Sequence, residues 1–84
     1  MTNKKLLKKK IIYRSNHRGN KEMDILLGNF VKKHLDSLND DDLLDLEKIL
    51  LLEDEIISDW YFKKKSHKSI LKTKISSMIL NFKI

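Results

Sequence analysis

Arg18 and Glu22 stand four residues apart, with Gly19 between them, in the segment Arg18-Gly19-Asn20-Lys21-Glu22. On one continuous helix that spacing would make an ion pair worth about 0.2–0.5 kcal/mol, and arginine before glutamate is the weaker order. Asn20 is a ready helix cap, so Arg18 falls just before a helix and Glu22 in its first turn, where a carboxylate meets the positive dipole end. A planar guanidinium outside a helix can grip a partner's carboxylate or carbonyl, with Glu22 orienting it or bonding the partner itself. On this reading both side chains are exposed in the free protein. Gly19 is then a positive-φ hinge between two helices.

Other chemistries find less support. His17, His34 and His67 have no metal-ligand spacing. Asp36, Asp40, Asp41 and Asp42 resemble a calcium loop only superficially, because the loop glycine is missing. The chain has no cysteine, hence no disulfide framework or thiolate site. No serine has a histidine and acid in a hydrolase-like context, and no glycine-rich phosphate loop is present. The chemistry available is recognition, so no enzyme activity, metal or cofactor of its own is expected.

The elements that must carry these residues are helical. There is no proline and there are two glycines, Gly19 and Gly28, fewer turn residues than a small sheet protein needs. Met23, Leu26, Leu27, Phe30, Val31 and His34 form an amphipathic stripe. After a break at Asp36-Ser37-Leu38, Asn39 caps a helix that opens with three aspartates and buries Leu43, Leu46, Ile49 and Leu50. Glu53-Asp54-Glu55 starts another, with Ile56, Ile57 and Trp60 inward and Tyr61 and Phe62 at its edge; Lys63-Lys64-Lys65 suits its negative end. Ser66 or Ser69 would cap a last helix through Leu71, Ile75, Met78 and Phe82. Leu7, Ile11 and Arg14 suggest a short first helix. Gly28, in mid-helix at about 1 kcal/mol relative to alanine, implies close helix packing. The expected fold is all-α, a compact bundle of five short helices and a monomer, with residues 1–9 a partly frayed lysine-rich extension and residues 10–84 one domain.

Eighty-four residues make one small domain with a thin core. With 40% hydrophobic and 36% charged residues, the composition is that of a folded chain rather than a disordered one. The net charge of +6 is partitioned: +7 over residues 1–22, −8 over 23–60 and +7 over 61–84, so much of it can be neutralised internally. The longest aliphatic run, Ile49 to Leu52, is far short of the roughly 20 residues of a membrane span. No apolar stretch follows the first lysines as in a signal peptide, and no transit peptide is evident. A cytoplasmic, reducing setting is expected.

The segment from Ile11 to Leu38 resembles the succinate dehydrogenase assembly factor 2 family, small flavinylation factors whose hallmark is Arg-Gly-x-x-Glu. That motif stands here as Arg18-Gly19-Asn20-Lys21-Glu22. It is preceded by Tyr13-Arg14-Ser15 and followed by Asp24, Leu26-Leu27-Gly28 and Phe30. Asp36-Ser37-Leu38 before an acidic helix start, and an acidic turn leading to Trp60, continue the pattern over roughly residues 10–80. The resemblance implies a five-helix protein that binds the flavoprotein subunit of succinate dehydrogenase, or of a fumarate reductase, and promotes covalent attachment of FAD to a histidine there. FAD would be bound by that partner, not by the factor. The partner-binding residues it implies are Arg18, Gly19, Glu22, Asp24, Arg14 and Tyr13. Two other readings follow from composition and fold alone: a small basic binder of nucleic acid or an anionic surface, and an antitoxin-like regulator of another protein. Against the former, the lysines are not interleaved with aromatics and no helix-turn-helix signature is legible.

Overall fold

The computed structural model describes residues 3–83; Met1, Thr2 and Ile84 lie outside the described residues. Five α-helices follow one another: α1 Asn3–Asn16, α2 Lys21–His34, α3 Asp40–Leu50, α4 Asp54–Phe62 and α5 Lys74–Asn81, with a 3-10 turn at Leu35–Ser37. The fold is all-α, and no strand occurs among the described residues. The radius of gyration, 12.0 Å, is that of a close-packed globule of this length, about 12 Å.

Helix α2 forms because Asn20, in extended conformation, accepts hydrogen bonds from the amides of Glu22 and Met23. Its apolar stripe, Met23, Leu26, Leu27, Phe30 and Val31, is buried as the periodicity predicts. Leu43, Leu46, Ile49 and Leu50 of α3 and Ile57, Trp60 and Tyr61 of α4 are buried in the same core, with α1 packed against both α2 and α3. The Asn39 side chain accepts from the Asp42 amide at 2.8 Å and Asp42 accepts back from the Asn39 amide, a reciprocal cap at the start of α3. The Tyr61 hydroxyl donates to the Phe82 carbonyl, tying α4 to the end of α5. Phe82 in turn stands edge-on to Phe30, ring centroids 5.6 Å apart.

Helix α1 includes the lysine-rich stretch, continuous over residues 3–9. Leu7 there packs against the core, Lys4 meets Asp40 at 3.6 Å and Lys8 meets Asp36 at 3.5 Å. Two later features differ from the sequence reading. The last helix begins not after Ser66 or Ser69 but at Lys74. Thr73 caps it, accepting from the Ser76 amide while the Ser76 hydroxyl accepts from the Thr73 amide. That reciprocal pair outcompetes an earlier start, so Leu71 is left 71% exposed and Ile70 takes the buried position. Finally, no glycine among the described residues has positive φ; Lys64, just beyond α4, is the residue that does (φ 58°).

Gly28 does mark a close approach of α1 and α2. A Cβ there would stand 2.8 Å from the Asn16 side-chain oxygen and 3.7 Å from the Ser15 carbonyl. The closer atom is the tip of an exposed side chain, so the backbones are near without being in contact.

Phe30→Ala should cost about 3–5 kcal/mol, the range for an aromatic lost from a fully buried site. Thr73→Ala should cost about 1 kcal/mol and Ser69→Ala almost nothing, since capping residues but not loop serines hold a helix end. Urea denaturation of the three variants decides this; a larger loss at Ser69 than at Thr73 would contradict the observed start of α5.

Candidate functional site

The connector between α1 and α2 is four residues long, His17 to Asn20, and the Arg-Gly-x-x-Glu motif runs across it into the first turn of α2. The Arg18 amide donates to the Asp24 carboxylate at 2.7 Å. The Asp24 amide donates to the Asn20 carbonyl at 3.0 Å, beginning the helix. Asp24 therefore fastens the connector to α2, and Glu22 stands beside it on the exposed side.

The Arg18 side chain does not reach into solvent. It is 9% exposed, and its Nε donates to Asp54 Oδ1 at 2.6 Å. One terminal nitrogen donates to the Leu50 carbonyl at 2.5 Å and the other to the Leu52 carbonyl at 2.6 Å, with a longer contact of 3.5 Å to the Arg14 carbonyl. Leu50 ends α3 and Asp54 begins α4. The guanidinium thus fills the gap between the negative end of one helix and an acid at the start of the next. The sequence reading that leaves Arg18 exposed is overturned: the fork that would grip a partner is already engaged inside the fold. Nor does Glu22 orient it; Asp54, 36 residues further along, does.

Around this buried knot lies a set of exposed groups. Tyr13, 62% exposed, stacks on His17 with ring centroids 4.0 Å apart and 14° between planes. The His17 Nδ1 bonds the Tyr13 carbonyl at 2.8 Å, which fixes the ring against its neighbour. Arg14 and Glu22 are exposed, and among the described residues neither charged group has a hydrogen-bond or ion-pair partner. Gly19 is exposed too; a Cβ on it would meet Asp54 Oδ2 at 4.0 Å and nothing nearer. A hollow of about 510 Å³ opens beside the corner, with Ile12 and Asn16 of α1 facing Asp24 and Gly28 of α2.

The structure therefore brings Tyr13, Arg14, Glu22 and Gly19 to the surface of one corner and turns Arg18 and Asp24 to its internal bonding. Sequence reasoning missed Asp54. Glu53-Asp54-Glu55 reads as a helix start, and nothing local distinguishes the middle acid as the one that meets Arg18. It missed the Tyr13–His17 stack as well, although the i, i+4 spacing on a helix is a usable signal. His34 leans on Phe30, and His67 accepts from the Ser69 amide. Among the described residues no three His, Asp or Glu side chains converge to hold a metal ion, and no helix is long and apolar enough to cross a membrane.

The structure is an all-helical fold with an exposed helix-junction corner, and comparison with known proteins identifies its family. The chain belongs to the family described as flavinator of succinate dehydrogenase, which it matches over residues 9–83. It is 40% identical over 55 residues to an FAD assembly factor of Acetobacter pasteurianus, covering 66% of this chain and 50% of that protein. To the mitochondrial succinate dehydrogenase assembly factor 2 of Meyerozyma guilliermondii it is 43% identical over 56 residues, 67% of this chain and 42% of that one. To the protein of the same name in Dictyostelium discoideum it is 32% identical over 73 residues, 87% and 52%. The chain thus spans about half the length of these curated relatives. No solved structure matches it.

Arg18→Ala should lower stability by about 2–4 kcal/mol, because it leaves Asp54 and the carbonyls of Leu50 and Leu52 without their donor in a partly buried site. Glu22→Ala and Gly19→Ala should stay within about 0.5 kcal/mol of the parent, as exposed substitutions without backbone strain do. Thermal and urea unfolding separate the two groups, and an Arg18→Ala protein that melts like the parent would refute the inward placement.

Proposed function

We propose that this chain is an assembly factor that binds the flavoprotein subunit of succinate dehydrogenase, or of a fumarate reductase, and promotes covalent attachment of FAD to it. What carries the reading is the family match over residues 9–83, with the exposed corner of Tyr13, Arg14, Gly19 and Glu22 inside it. The flavin belongs to the partner; the factor carries none of its own and forms no bond to it. It acts as a monomer in the cytoplasm of a bacterial cell.

The physical mechanism is differential binding. A factor favours one conformer of its partner only by as much as it binds that conformer more tightly. Holding the flavoprotein in a state where the flavin faces its acceptor histidine lowers the barrier by positioning. Exposed, unpaired charges suit this role, since Glu22 can accept a bond and Arg14 can donate one without first breaking an internal contact. Within the Arg-Gly-x-x-Glu corner, Gly19 lets the partner's backbone come close, Arg18 and Asp24 hold the shape, and Glu22 makes the contact. The pairs of Lys4, Lys8 and Lys74 with Asp40, Asp36 and Asp42 show acids of the middle segment neutralising some of the basic ends.

The test is complementation in cells that lack their own factor, read as covalent flavin fluorescence of the denatured flavoprotein. The parent chain should restore the signal. Glu22→Ala, and the double variant Tyr13→Ala with Arg14→Ala, should melt normally yet restore little, because losing a hydrogen-bonded charge at a desolvated interface costs about 2–5 kcal/mol of binding. Failure of the parent chain to raise the signal, with its fold intact, would end this reading.

A further inference from the structure

We propose that Asp54 is a positioning residue for the α1–α2 corner: by taking Arg18 Nε it turns the guanidinium inward and so fixes where Gly19 and Glu22 face the partner. The inference rests on the flavoprotein-binding reading for its consequence, but its geometry stands on its own.

Residues 18–24 hang from two carboxylates. Asp24 holds the Arg18 amide and belongs to the same helix it starts, so it sets only local geometry. Asp54 holds the Arg18 side chain from the other half of the molecule. Its second oxygen lies beside Gly19, 4.0 Å from where a Cβ would be. The acids on either side cannot substitute, since Glu53 and Glu55 are exposed and Asp54 is the one whose side chain, 22% exposed, reaches the guanidinium. The carbonyls of Leu50 and Leu52 occupy the terminal nitrogens but not Nε. Without Asp54 the half-satisfied fork gains more by swinging to water, and the corner is no longer registered against α3 and α4. Arg18, freed, would be an exposed cation beside Glu22 and could pair with it in place of the partner.

The experiment uses the full chain with Asp54→Ala and Asp54→Asn, the latter keeping one acceptor oxygen for Nε. Its first arm needs no partner: amide hydrogen exchange and ¹H–¹⁵N shifts of residues 18–24 against those of core helix positions such as Phe30 and Leu46. Positioning predicts that Asp54→Ala speeds exchange at the corner about tenfold more than in the core, with Asp54→Asn intermediate. A uniform rise across the chain, or failure of both variants to fold, marks Asp54 as a stability residue only and overturns the proposal. The second arm is a double-mutant cycle on binding to the purified flavoprotein subunit of a succinate dehydrogenase. Glu22→Gln should weaken binding about fivefold or more in the parent but less than about twofold in Asp54→Ala. Penalties that simply multiply would overturn the proposal. If the parent does not bind the flavoprotein at all, the functional reading fails, and the first arm alone still decides the role of Asp54.

Discussion

A guanidinium almost removed from water is the constraint around which the rest of this small fold is arranged. Burying a charge costs several kcal/mol unless it is paired and its donors are used. Arg18 meets that demand with a carboxylate, the carbonyl of Leu50 at the end of α3 and the carbonyl of Leu52 in the linker that follows. Those acceptors exist together at one place, the turn between α3 and α4. Satisfying the arginine therefore fixes the α3–α4 turn against the α1–α2 connector, and with it the relation of the two halves of the chain. The same contact serves α3, whose last carbonyl groups have no partner within their own helix.

A chain of this size has little apolar surface to spare, and reciprocal polar bonds supplement the core where the helices begin. Asn39 with Asp42 and Thr73 with Ser76 each close a helix start from both sides. Asp42 goes further, since its carboxylate also receives Lys74 at 3.0 Å and so links α3 to α5. The exposed pairs of Lys4 and Lys8 with Asp40 and Asp36 are individually weak. Their meaning is in the charge pattern: acids of the middle segment meet lysines of both ends.

The Arg-Gly-x-x-Glu corner consequently has an inner and an outer half. The arginine is spent on shape, and the glutamate is exposed and, among the described residues, free of internal side-chain partners. Gly19 is exposed, with only the Asp54 carboxylate near, and needs no special backbone conformation to be there. Its lack of a side chain leaves open space above the knot. Tyr13 at the end of α1 and His17 in the connector form a pre-stacked pair beside it, which already restricts the freedom of both rings.

By itself the sequence determined the helical class, the stripes of α2 and α3, the caps at Asn20 and Asn39, and the burial of Trp60, because these depend on spacing and on hydrogen bonds within four residues. It located the corner, since the motif is contiguous. It misplaced the start of α5 because serines at 66 and 69 and threonine at 73 all read as caps; the reciprocal Thr73–Ser76 pair was a local signal overlooked, whereas the burial of Ile70 in the preceding loop is tertiary. It gave Gly19 a left-handed hinge because a glycine between helices is compatible with one, whereas the turn is made by extended Asn20. Above all, the direction of Arg18 was a tertiary matter. A long flexible cation can face outward or inward with the same local sequence, and what decides is whether distant acceptors come within reach. The folded chain brings Leu50, Leu52 and Asp54 there, and a charge that finds three acceptors in a partly dry site stays.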